Sequence, residues 1–263
     1  MQGLDWKLKT IKQIKSHKKT FIVYILLRIL VVFILALQIK NRNYENAFLC
    51  VLTLILFMIP SIFEMKLKVR MPDTLEIIIL LFIFAGAILG EIQNFYHLFS
   101  NWDTILHTLN GFLCAAIGFS LIDILNRTKK LHFSLTPLFV AIVSFCFSMT
   151  VGVLWEFFEF GSDMILKSDM QKDVIVSSIS SVALNEEGLN VPIKLDDIEK
   201  TDIYLKDGSK YEINGYLDIG IIDTMKDLIV NFIGAITFCT LGYFYVKNRG
   251  KGKIVPYFII GLE

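Results

Sequence analysis

The sequence predicts an all-α integral membrane protein: six helices bundled across a bilayer, with a small β-rich extracytoplasmic insert between the fifth and the sixth. Three observations predict it. Of 263 residues, 54% are hydrophobic and 19% charged, against about 45 to 50% apolar in an ordinary soluble domain. Six apolar stretches approach the ~20 residues a helix needs to cross a hydrocarbon core about 30 Å thick. Charges collect in tails and loops, so the net charge of +1 conceals long uncharged runs. That distribution speaks for a lipid bilayer and against a nucleic-acid partner.

In chain order, residues 1–20 form a basic tail, with Lys7, Lys9, Lys12, Lys15, Lys18 and Lys19. Helices 1 to 5 fall within 21–166, at about 21–37, 47–63, 74–90, 104–125 and 135–160. The sixth helix lies within 221–246, and 247–263 is a second basic tail. The first span, preceded by lysines, resembles a secretory signal, but Arg28 inside the run, the lack of a small-x-small cleavage site and the five later spans argue that it is retained. With the amino terminus inside, 16 Lys and Arg fall on inner segments, while the short outer loops hold Lys40 and Arg42. The positive-inside rule then puts both termini in the cytoplasm.

Residues 167–220 are polar, with 11 acids and six lysines. Residues 173–179 and 203–213 alternate as strands do, and Asp207-Gly208 predicts a two-residue hairpin turn. Cys50, Cys114, Cys146 and Cys239 each sit in an apolar run without C-x-x-C spacing, as small hydrophobes.

Ionisable groups near hydrocarbon are costly, so their placement carries the functional signal. At 100° per residue, Asp103, His107, Asn110, Gly111, Cys114 and Gly118 share one face of the fourth helix. Ser148, Gly152, Glu156, Glu159 and Asp163 do so on the fifth, and Asp223, Asp227, Asn231 and Gly234 on the sixth. Small residues on such stripes let helices approach closely. The predicted topology brings all these acids, with Glu91, to the outer membrane boundary. Seven carboxylates beside one histidine, Lys226 and no arginine need raised pKa values, water or a bound cation. Carboxylate oxygens with an imidazole suit a divalent metal ion such as Mg, Mn, Zn or Fe. On this reading Asp223, Asp227, Asp103 and Glu159 are metal ligands, His107 and Glu156 act on the substrate, and Asn231, Glu91 and Asn110 support them.

Simpler roles compete at several positions. Asp103 and Asp223 stand where helix caps stand. Glu156 and Glu159 lie in an aromatic belt after Trp155, and Asp163 and Glu91 read as solvated. Arg28 and Asp123, nearer the inner face, either snorkel or pair with each other. Capping does not account for Asp227 and Asn231, one and two turns inside their helix.

The order Gly90-Glu91, Trp102-Asp103-x-x-x-His107 with Asn110-Gly111, Trp155-Glu156-Phe157-Phe158-Glu159, and Gly215 to Asn231 resembles the YjdF-like bacterial inner-membrane proteins. The resemblance covers about residues 74–246 and implies a fold and a residue set without a reaction. A looser likeness reaches the VanZ-like proteins, through Asp223, Asp227, Asn231 and Gly234, and implies a cell-envelope role. The charged insert departs from that compact pattern.

Three functions fit the sequence: a metal-dependent hydrolase or transferase acting on a lipid-linked envelope substrate, a cation- or proton-coupled transporter, and a non-catalytic membrane or envelope-resistance protein. Transport requires polar residues along the whole crossing, and here they thin out toward the inner face.

Overall fold

The computed structural model describes residues 18–127 and 135–262. The tail before Lys18 and the loop residues 128–134, both used above for orientation, lie outside the described residues. Among the described residues, six helical segments are long and apolar enough to span a membrane, as expected. The chain divides into two compact units, residues 1–152 with 230–263, and residues 153–229.

In the first unit, α1 (Lys18–Lys40) packs on α2 (Tyr44–Leu56) and α4 (Asp73–Phe84). Its side chains reverse the soluble-protein pattern: Ile22, Ile29 and Phe33 are exposed, while Leu27 and Val31 are buried with Cys50, Phe57 and Leu80. Apolar residues pointing outward have acyl chains as their solvent. The second span breaks after α2 and resumes as α3 (Ile59–Leu67), because Pro60 has no N–H to continue the ladder. Lys68 ends α3 in the left-handed region and leads to β1 (Val69–Arg70).

Beyond α4 the third span widens into a π-helical stretch, Ala85–Ile92, closed by a Gln93 N–H to Ile88 carbonyl bond of 3.0 Å. A short α5 (Phe95–Leu98) follows, then α6 (Trp102–Arg127) and α7, which spans Pro137–Leu166 and ends six residues beyond the expected boundary. The last span is α8 (Ile221–Lys247). Ala115, Ala116 and Phe119 of α6 pack with Val140 and Ala141 of α7 and Ala235 and Phe238 of α8. After α8, the segment Val255–Tyr257 makes a 3-10 turn and β8 (Gly261–Leu262) pairs antiparallel with β1, Val69 opposite Leu262.

The second unit contains the insert, in which the described strands form three two-stranded antiparallel sheets. β2 (Ile175–Val176) pairs with β7 (Tyr216–Leu217), β3 (Ile179–Ser181) with β4 (Ile193–Leu195), and β5 (Thr201–Tyr204) with β6 (Lys210–Ile213). The β5–β6 hairpin corrects the expected two-residue turn. Tyr204 pairs with Lys210, Leu205 N–H reaches Ser209 O at 2.9 Å, and Gly208 takes a φ of +88°. The loop therefore has three residues, 206–208, with glycine supplying the left-handed step. Asp207 stabilises it by accepting from the Ser209 N–H and hydroxyl.

Candidate functional site

In the first unit, the start of α6 is fixed by aromatic contacts: Trp102 meets Phe95 edge-on at 5.0 Å. The next residue, Asp103, lies one turn before His107, with Oδ1 3.5 Å from Nε2. His107 is buried and Asp103 half-buried. One turn further, Asn110 Nδ2 donates to Asn231 Oδ1 at 3.1 Å. Asn231 Nδ2 reaches Met149 Sδ at 3.6 Å, Cys114 Sγ donates to Asn110 Oδ1, and the Ser148 hydroxyl donates to the Gly111 carbonyl at 2.8 Å. Asn231 is 1% exposed, and a buried amide of this kind is costly without such partners.

Two glycines make the arrangement fit. A Cβ on Gly111 would run into the Asn231 carbonyl oxygen, and one on Gly234 into the Thr108 carbonyl oxygen. At these positions α6 and α8 meet backbone to backbone, the spacing that small-residue stripes permit. The pairing of 111 with 231 and of 108 with 234 also fixes the register of the two helices.

In the second unit, Glu156, Glu159 and Ser162 are buried along one face at the end of α7, while Leu154, Phe157, Phe158 and Phe160 are exposed. The Trp155 indole N–H donates to Glu159 Oε1 at 2.7 Å. Asp227, in the second turn of α8, is 1% exposed. Asp223 accepts from the Lys172 backbone N–H at 2.8 Å, so the backbone amide it satisfies belongs to the insert.

Asp163 was expected to be solvated. Instead its carboxylate gathers the turn after α7, accepting from Ser168 Oγ and from the Met170 and Gln171 backbone N–H groups at 2.7 to 2.8 Å. The Gln171 side chain donates to the Thr224 hydroxyl. Asp218, which the sequence reading placed in a motif without a role, accepts from Val174, Gly220 and Ile222 backbone N–H groups. It thereby ties β2 to the first turn of α8. Partial burial raises its pKa, but those three donors outweigh burial and hold the carboxyl below its ordinary value. Asp173 shifts the other way: burial, then the charges of Asp169, Asp218 and Asp163, push it up.

Of the residues predicted for the site, the structure thus pairs Asp103 with His107 and Asn110 with Asn231, and ties Glu159 to Trp155 and Asp223 to Lys172. Glu91 is exposed at the end of the π-helical stretch. Arg28 stacks on its own helix neighbour, its guanidinium carbon 4.1 Å from the Tyr24 ring centroid. Met149 and Asp218 were missed. Nothing in the local sequence marks Met149 as a partner for an amide, whereas the Asp218-x-Gly220 spacing ahead of a helix is a readable turn signal.

A family model described as "Predicted membrane protein (DUF2238)" matches residues 22–248, most of the chain. The chain belongs to that family. DUF2238 membership agrees with six apolar helices and carries no activity with it. An "Uncharacterized protein" of Thermotoga maritima is 27% identical over 107 residues, 41% of this chain. The match covers 53% of that relative, so the chain spans about half the length of the curated protein it matches. No solved structure matches.

Proposed function

We propose that Asp103 and His107 hold one divalent cation, with Asp227 as the further acid that the sequence pattern assigns to it, and that the protein uses it to hydrolyse or transfer a lipid-linked or phosphate-bearing envelope substrate. The observation that carries this reading is the Asp103–His107 pair, Oδ1 3.5 Å from Nε2, set two and one turns before Asn110, which bonds Asn231. Two carboxylates and an imidazole are a donor set for Mg, Mn, Zn or Fe.

Such an ion would polarise a phosphoryl oxygen or lower the pKa of water. Glu156, one turn beyond Gly152 and buried, is the proposed general base. Asp223 and Glu159, first counted as ligands, hold Lys172 and Trp155 and serve here to order the surroundings. Location in a bacterial inner membrane with both termini cytoplasmic belongs to the same proposal, as does the envelope role implied by the looser VanZ-like likeness. Transport ranks second, because past Asn231 the same face of α8 continues with Gly234, Phe238 and Gly242. A scaffold role for the insert ranks third.

Metal analysis of the purified full-length protein tests the reading. The wild type and a Glu91→Gln control should carry about one equivalent per chain, and Asp227→Asn about a tenth of that with an unchanged melting temperature. A wild type that takes up no divalent ion, or Asp227→Asn with full occupancy, would overturn it.

A further inference from the structure

The helix α8 does not end in a free tail. Gly250 N–H bonds back to the Tyr245 carbonyl at 2.9 Å and Arg249 N–H to Val246, while Arg249 and Gly250 take φ values of +55° and +79°. This is a Schellman-type reversal, which turns the chain back along the bundle it has just left.

The returning segment is apolar and packs inward. Val255 and Ile260 are 3% and 1% exposed. Ile260 N–H donates to Ser120 Oγ on α6 at 3.0 Å, and β8 closes on β1. Phe258 lies edge-on to Phe112 of α6 at 5.0 Å and 6.4 Å from Phe238 of α8, and those two rings are 5.1 Å apart. Irregular backbone within a membrane protein is tolerated where protein surrounds it and its polar groups are satisfied. Ser120 and β1 meet that requirement here.

Phe238 lies two turns beyond Asn231 on the same face of α8, and Phe112, next to Gly111 on the side of α6 that meets α8, lies edge-on to it. On α8 the polar stripe therefore runs into an aromatic cluster, and Phe258 completes it. We infer that residues 255–262 are a plug that closes the polar stripe at the end where α8 finishes, making the stripe accessible from one side of the membrane. The inference stands whether or not a cation binds.

Cys114, hydrogen-bonded to Asn110 on the stripe, is a natural reporter. With Cys50, Cys146 and Cys239 changed to alanine, full-length protein is placed in vesicles oriented so that trypsin cuts the exposed Arg249–Lys253 loop from outside. A membrane-impermeant maleimide added to that side should label Cys114 slowly. Phe258→Ala and Gly261→Pro, which open the aromatic floor and the β1–β8 pairing respectively, should each raise the rate at least about tenfold. Rapid labelling with the plug intact would overturn the inference. So would an unchanged rate in a variant whose plug has come free, as shown by faster chymotryptic cutting at Tyr257. If neither variant folds, the unaltered plug decides alone: slow labelling from the loop side with faster labelling from the opposite side upholds the inference, and equal rates from both sides overturn it.

Discussion

Asn231 illustrates how much a single residue holds. Its amide joins Asn110 and reaches Met149, and its carbonyl sits where Gly111 leaves room. Changing it to alanine strands the Asn110 amide, and we expect a loss of about 1 to 3 kcal/mol in detergent unfolding. Asn231→Asp should cost less at low pH than at neutral pH, since the protonated acid still accepts and donates. At Asp218 the pH sign is fixed by its lowered pKa. The stability it gives is fully present above the ordinary carboxylate value near ~4 and is lost as pH falls through the lower folded value. Near-ultraviolet circular dichroism should show the insert loosening on that acid limb, and Asp218→Asn should flatten the limb. The stripe of ionisable residues was legible because acids inside apolar runs stand out. What each one touches was not, since Asp163 and Asp223 bond to amides of the insert seven or more residues away.

At the scale of elements, α6 and α8 form a contact with no slack. Gly111→Val should lower the melting temperature markedly, with a stability loss of about 1 to 3 kcal/mol, because the branched side chain collides with the Asn231 backbone. Gly161→Ala, where a Cβ meets nothing within 4 Å, is the control and should be near neutral. Helix positions were readable from apolar run length alone, to within about 2 to 4 residues at most ends. The fifth span exceeded this, since α7 continues as a helix through Gly161 to Leu166 while its outer face remains apolar. The break before Pro60 and the three-residue hairpin loop depend on hydrogen-bond closure rather than composition. The plug was hidden for a different reason. Eight residues are too few to cross a membrane, and sequence alone cannot tell a docked segment from a tail.

Across the whole molecule, the polar insert is an acidic region whose strands pair only two by two. Isolated two-stranded ribbons are marginal in water, and here Asp163, Asp218 and Thr201 supply bonds that fasten loops between them. Protease added to intact cells should therefore cut the insert at exposed Lys206 before any membrane segment, if the proposed outward orientation holds. Cutting from the cytoplasmic side alone would reverse the topology and move the proposed site to the other leaflet.

The central claim is that a bound cation meets His107. Loading the full-length protein with Mn(II) and recording its electron spin echo modulation tests that contact directly. The account predicts an imidazole nitrogen coupling in the wild type that disappears in His107→Gln while the manganese remains bound through the carboxylates. Modulation without nitrogen coupling in the wild type, or a coupling that persists in His107→Gln, would contradict it.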